Sequence, residues 1–295
     1  MKKWCSISAG LLILCLVTVI TGCGLVTQPG MQDTKPTAPL TVKVMDVGQG
    51  DAILIQTPEQ TILVDTGDTP TKSKLASYIK SEGISVIDKL IITHPHADHI
   101  GGVQAVMDNF TIKQIYDSGQ TATSNMYKQY LLTAQKKKIP FALLEAGGQL
   151  DIGGGIVLKV LAPEKPFISG SDSDLNNNSI VLKLVFGSFS MLLTGDAEKE
   201  SEDRMVKRFS GELKSTVLKV GHHGSSSSSS QVFLKAVSPE AAVISLGANN
   251  EYHHPHPSVL KRYDQQKIKV YRTDTQGTVA ITSDGVSYTI SKEKP

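Results

Sequence analysis

The sequence predicts an α/β fold in four layers, αββα, with two sheets inside and helices outside. Three observations carry this expectation. Strand-type and helix-type patterns alternate from about residue 41 to residue 290. The second half repeats the plan of the first: a hairpin, an acid at a strand end, a helix, then histidines at the next strand end. The side chains able to hold a metal fall at those strand ends, where layered α/β folds place their chemistry.

Lys2 and Lys3 precede a mostly apolar run from Ile7 to Ile20, followed by Thr21-Gly22-Cys23. A basic start, a short apolar core and small residues before a cut site describe a secretory signal. The run is short for a membrane span of about 20 residues. Ile20-Thr21-Gly22-Cys23 resembles the bacterial lipobox, which implies lipid on Cys23; an uncleaved signal anchor is the alternative. Residues 1–22 are then a signal peptide. Residues 23–40 are the lipidated cysteine and a tether of Gln, Pro, Thr, Gly and Asp with little to bury. Residues 41–295 make one large domain. The expected location is the extracytoplasmic face of the cell membrane, through the N-terminal lipid. Cys5 and Cys15 leave with the signal, so the mature chain has no disulfide to form. Losing Lys2 and Lys3 brings 30 basic residues to 28, equal to the 28 acidic ones. That balance gives no global attraction for nucleic acid, although net charge does not report distribution.

Within the domain, 41–46 and 51–56 read as strands around the tight turn Gly48-Gln49-Gly50, and 61–67 as a strand that ends in Asp65. Leu75, Tyr78 and Ile79 at helical spacing predict a helix over 73–82, with Gly83 as its stop. Strand 88–92 leads into a histidine loop, after which Gly101 and Gly102 open a helix. A helix over 124–138 carries Lys136, Lys137 and Lys138 near its end, where positive charge suits the dipole. Then come a hairpin (180–186 and 190–194), a helix (198–209), a strand (216–220), helix 231–237, strand 241–246 and helix 257–265. Short strands fill 268–290. The run Ser225–Ser230 reads as a flexible loop or helix start.

The loop Thr93-His-Pro-His-Ala-Asp-His-Ile-Gly-Gly102 holds His94, His96, Asp98 and His99. Imidazole and carboxylate are the usual ligands of zinc, iron and manganese, and four of them on one loop can hold two cations side by side. A His-rich surface loop would not sit at a strand end with further acids and histidines placed to match. Asp196 ends an apolar strand, so its carboxylate emerges at the same sheet edge. His222 directly follows a strand and is the first choice for a further ligand over His223. His254 sits on a longer loop, and ligand, proton donor and plain loop residue all stay open for it; His253 and His256 read as surface loop.

Taken in order, Met45-Asp-Val-Gly-Gln-Gly-Asp51, Leu63-Val-Asp-Thr-Gly67, His94–His99, Leu193-Thr-Gly-Asp196, Val220-Gly-His-His-Gly-Ser225 and His254-Pro-His-Pro257 resemble the metallo-β-lactamase superfamily. The combination is similar to the soluble hydrolase domain of the competence protein ComEC, over about residues 41–290. The resemblance implies that His94 and His96 bind one metal, that Asp98 and His99 bind the other, and that Asp196 bridges both. It implies that Asp65 orients the histidine loop, and that the Gly48–Asp51 turn lies near the substrate. Most members carry a histidine just before the strand at 180–186, where this chain has Asn176-Asn-Asn-Ser179. An amide is a weak ligand, which moves the expectation for the one or two divalent ions from zinc towards manganese. The expected activity is metal-dependent hydrolysis of a phosphodiester, with DNA or a nucleotide as substrate and Asp98, Asp196 and His254 in the chemistry. The alternatives are an ester, lactone or thioester hydrolase, or a non-catalytic surface-binding lipoprotein. No protein partner is inferable.

Overall fold

The apolar strands collect into two sheets whose facing sides share one core. The computed structural model describes residues 40–295, so the expected signal, Cys23 and the tether through residue 39 lie outside the described residues. Strands β1 (Leu40–Val44), β2 (Ile53–Gln56) and β3 (Thr61–Val64) form an antiparallel meander. Helix α1 (Lys72–Ser81), β4 (Val86–Ile87), β5 (Lys89–Ile92), α2 (Ala97–Ile100), α3 (Val103–Asn109), β6 (Thr111–Ile112), β7 (Ile115–Asp117), α4 (Asn125–Lys136) and β8 (Phe141–Leu143) follow. β5, β7 and β8 continue the sheet in parallel from β3, while β4 pairs with β6 apart from it.

The second half has the same plan. β9 (Gln149–Asp151), β10 (Val157–Ala162), the short helix α5 (Asp174–Asn177), β11 (Val181–Phe186) and β12 (Phe189–Leu193) give an antiparallel block. α6 (Lys199–Phe209), β13 (Val217–Lys219), α7 (Gln231–Val237), β14 (Ala241–Ile244), α8 (Pro257–Gln265) and β15 (Lys269–Arg272) then extend it in parallel. After a helical turn, α9 (Thr273–Gln276), the chain crosses back: β16 (Val279–Ser283) pairs with β1 and with β17 (Tyr288–Lys292). The sheet orders are β17-β16-β1-β2-β3-β5-β7-β8 and β15-β14-β13-β12-β11-β10-β9.

The two-residue period of each strand builds the four layers. Ile91 faces the central core with Val42, Ile53 and Ile62, against Leu184, Met191 and Val217 of the other sheet. Its neighbours Leu90 and Ile92 turn outward to Leu75 of α1, Val106 of α3 and Tyr130 of α4. On the far side Leu192, Leu218 and Ala242 meet Met205 of α6, Phe233 of α7 and Val259 of α8. The central parallel strands β5, β13 and β14 are covered on both faces and so read as near-continuous apolar runs. The expected helices and central strands recur with boundaries shifted by one to three residues. Of the outer strands, β9 is largely polar, and β8, though apolar in sequence, leaves Phe141 and Leu143 exposed. α2 also starts inside the histidine loop, at Ala97, before the glycines. Among the described residues no helix is long and apolar enough to cross a membrane.

Candidate metal centre

The parallel strands of both sheets end at the same edge, and the chemistry-bearing residues follow them. β3 ends before Asp65, which adopts a left-handed backbone (φ 59°) that favours glycine and turns the carboxylate beneath the histidine loop. There Asp65 Oδ1 accepts from Thr93 N–H (2.8 Å) and Oδ2 from Thr93 Oγ1 (2.7 Å). Asp65 Oδ2 also accepts from His99 Nδ1 (2.8 Å). Burial pushes the Asp65 carboxyl up, against the pull of His99 and Thr93. With Nδ1 committed to a carboxylate, His99 presents Nε2 to the site.

β13 delivers His222 and His223 through two successive left-handed residues, φ 46° and 53°. This turn separates their directions. His223 Nδ1 lies 2.8 Å from the Ser245 carbonyl, which can only accept, so Nδ1 carries a proton and Nε2 is the nitrogen turned to the cluster. That nitrogen lies 3.1 Å from Asp98 Oδ2 and 3.4 Å from Asp196 Oδ2. His99 Nε2 lies 3.2 Å from the same Asp196 oxygen, and His94 Nε2 lies 3.8 Å from it. His94 Nε2 is in turn 3.0 Å from His96 Nδ1. Asp98, His99, Asp196 and His223 thus offer ligand atoms all within 4.8 Å of one another. Donors around a tetrahedral cation at ordinary bond lengths lie about 3.3 Å apart, which matches these spacings. His99 Nε2, His223 Nε2 and Asp196 Oδ1 are buried and make no hydrogen bond. A divalent ion satisfies such atoms, so the donor set suits one.

His222, expected as the ligand, instead faces Glu198: Nδ1 is 3.0 Å from Glu198 Oε1 and 3.2 Å from Ser227 Oγ. Its Nε2 lies 3.4 Å from the Asn176 amide nitrogen. His223, not His222, joins Asp98, His99 and Asp196 in the cluster. Asn176, the residue in place of the superfamily histidine, donates to Glu198 Oε1 (2.9 Å), and its own Oδ1 makes no hydrogen bond.

The titration behaviour divides the imidazoles into two sets. Burial, with the nearby His99, holds His94 well below its ordinary range, and burial also lowers His96. Both are neutral imidazoles. Burial works against charge on His223 as well, but Asp196, Asp98 and Asp51 outweigh it and lift His223 to about 10. The carboxylates of Asp196, Asp65 and Asp98 likewise overcome burial at His99 and raise it well above its usual value. Asp98 and Asp196 are held low despite burial, by His99 and His223. The cluster is an anionic hole that binds protons in place of a cation, and a metal would displace them.

Two features hold the site from below and beside. A Cβ on Gly50 would fall 2.0 Å from the Asp98 carbonyl oxygen, so glycine lets the Gly48–Asp51 turn pack against the histidine loop and lets Asp51 N–H bond that oxygen (3.2 Å). Beneath His223, Asp51 pairs with Lys219. His254 is half-buried, its ring 5.6 Å from His222 and 6.5 Å from His223. Burial, with His222, His223 and His256 around it, pushes His254 down to about 4, so it is neutral at pH 7. His256 accepts from Ser226 N–H (2.8 Å) and stands at the start of α8.

A sequence profile of the Metallo-beta-lactamase superfamily matches residues 45–248. The chain belongs to the metallo-β-lactamase superfamily. Curated relatives include two proteins named for competence or its operon. ComE operon protein 3 of Bacillus subtilis is 34% identical over 256 residues, covering 81% of this chain and 32% of that protein. Competence protein ComA of Neisseria gonorrhoeae is 34% identical over 239 residues, covering 81% and 31%. The chain therefore spans about a third of the length of these relatives. The resemblance to the ComEC-like branch rests on them. Among solved structures, the metallo-beta-lactamase fold protein YhfI of Bacillus subtilis shares the fold, with a TM-score of 0.56 at 15% identity, over 83% of this chain and 100% of that one. Superfamily membership accounts for the strand-end acids and histidines. Sequence reasoning preferred His222, because the residue-245 carbonyl that fixes the His223 ring is a backbone group that no residue type announces.

Proposed function

We propose that the protein is a metal-dependent phosphodiesterase with nuclease-like activity, anchored by lipid on Cys23 at the outer face of the cell membrane. The observation that carries the hydrolase part is the convergence of Asp98, His99, Asp196 and His223, whose ligand atoms face one another at metal-ligand spacing. The phosphodiester part is supported by the 34% identity to proteins named for competence. His99 and His223 would hold one divalent ion with Asp98, and His94 and His96 would hold a second; Asp196 Oδ2 lies among His94, His99 and His223, where it would serve both. Bound ions there supply an activated water and stabilise developing negative charge. Asp65 and the Ser245 carbonyl fix the rings of His99 and His223, so the ligands are aimed before any ion arrives. Neutral His254 contacts the substrate from the open side of His223. With Asn176 in place of an imidazole, the second set is richer in oxygen, which favours manganese over zinc.

The test is metal analysis of the purified chain, then turnover of oligonucleotides, carboxylic esters, lactones and thioesters with manganese and with zinc. Release of nucleotides supports the reading. Cleavage of carboxylic substrates alone assigns the other hydrolase class, and no turnover with either metal makes the protein a binding lipoprotein. For the anchor, Cys23→Ser should move the protein out of the membrane fraction; unchanged fractionation and mass would defeat the lipid reading.

A further inference from the structure

A cavity of about 270 Å³ opens beside the metal centre and shares a wall with it, because Asp98 lines both. Gln49, Asp68, Ala97, Asn250, Glu251 and Tyr252 line the rest. Tyr252 is 53% exposed, unusual for a large ring. It is not loose on the surface. Its ring stacks on His254 at 5.6 Å and 26°, and His254 stacks on His223 at 6.5 Å and 28°. Three near-parallel rings thus step outward from a metal-cluster imidazole to the cavity wall. The loop that carries them is braced: Asn250 Oδ1 accepts from His254 N–H (2.9 Å), and its amide donates to the carbonyls of Gly247 (3.0 Å) and His254 (2.7 Å).

The polar groups of the cavity favour one kind of ligand. Gln49 Oε1 accepts from Gly247 N–H (3.3 Å), which leaves its amide NH₂ as a donor. Asp68 Oδ1 accepts from Thr69 N–H, which leaves Oδ2 as an acceptor. Asp68 and Glu251 add negative charge, and no lysine or arginine lines the wall. A phosphate would be repelled there. A neutral planar ring bearing amino groups finds a face to stack on and carboxylates to donate to. A second cavity of about 390 Å³, lined by Pro95, Ala122, Met126 and Leu175, has no ring in its wall except the imidazole of His96, a candidate metal ligand.

We propose that the Tyr252 cavity is a nucleobase subsite: one base of the substrate stacks on Tyr252 and donates from its exocyclic amine to Asp68 or Glu251, while its phosphate lies at the metal centre. This rests on the phosphodiesterase reading for its substrate and sharpens it, since recognition then comes from the base and the metals rather than from a basic groove.

The test uses the full chain loaded with manganese and compares, by calorimetry, the Kd of deoxyadenosine 5′-monophosphate with that of 2-deoxyribose 5-phosphate. The nucleotide should bind tighter by on the order of tenfold, the usual scale of one base stacked on an aromatic ring. Tyr252→Ala should bring the ratio of the two affinities near one, and Tyr252→Phe should keep it. Equal or absent binding in the unsubstituted protein, or a ratio that survives in Tyr252→Ala, overturns the subsite. Base-dependent binding without cleavage of any oligonucleotide leaves the subsite standing and defeats the phosphodiesterase reading instead. Cleavage with base-independent binding does the reverse.

Discussion

Lys219 and Asp51 form an ion pair of 2.8 Å with neither side chain reaching solvent. Lys219 Nζ also donates to the Val220 carbonyl (2.9 Å), and Asp51 Oδ1 lies 3.6 Å from His223 Nδ1. The pair ties the end of β13 in the second sheet to the Gly48–Asp51 turn of the first, directly under the metal cluster. A buried pair contributes little net stability, but removing one partner strands the other.

Lys219→Met should therefore cost about 3–5 kcal/mol of stability, and Asp51→Asn a similar amount. The double variant should cost less than the two singles together, because neither charge is then left alone. Urea unfolding of the three variants measures this. Single costs under about 1 kcal/mol would show that the pair is not desolvated as the structure has it.

His223→Ala should abolish tight metal binding and reduce turnover more than about a hundredfold, since it removes a ligand. His222→Ala should keep most of the metal, because His222 faces Glu198. Metal content after dialysis decides between them. Retention in His223→Ala with loss in His222→Ala would return the ligand role to His222.

Asp65→Asn keeps the shape but weakens the hydrogen bond that sets the His99 ring. Metal affinity should fall about 10- to 100-fold, with the fold intact. Competition with a chelating indicator gives the number, and an unchanged affinity would remove Asp65 from the support of the site.

Asp117, at the end of β7, is pushed up to about 6 by burial, from an ordinary 3.8. A carboxyl that holds its proton more tightly when folded favours the folded state at acid pH, and that contribution is lost as pH rises from about 4 to about 6. Asp117→Asn should remove this slope and raise stability above pH 6 by about 3 kcal/mol. The difference in unfolding free energy between the two proteins, followed from pH 4 to 8, checks it; a flat difference would show that Asp117 titrates normally.

The layers and the histidine loop were legible because apolar period and ligand type are local signals. Ile91 with its neighbours, and His94 to His99, needed no tertiary information. What the chain did not declare depends on backbone turns and long-range bonds. His222 and His223 are alike in sequence, and only two consecutive left-handed residues decide which of them turns inward. Ser225–Ser230 looked featureless, yet it is fastened. Glu202 accepts from the N–H groups of Ser229 and Ser230, and Arg262 donates to the carbonyls of Ser226, Ser228 and Ser229. Those two side chains lie far along the sequence, on α6 and α8, so no local pattern could show that the run is rigid. Arg262→Ala should accordingly loosen it, seen as faster amide exchange across 225–230 than in the rest of the second sheet's loops.

The ligands come from both halves, Asp98 and His99 from the first and Asp196 and His223 from the second, and His223 is aimed by a carbonyl at residue 245. A nascent or partly threaded chain therefore lacks a competent pocket until more than four fifths of its length is available and folded. Ion choice then follows supply at the place where folding finishes. Under the lipid-anchored reading that place is beyond the membrane, so the cation would be set by the medium around the cell and not by the buffered metal pool inside it.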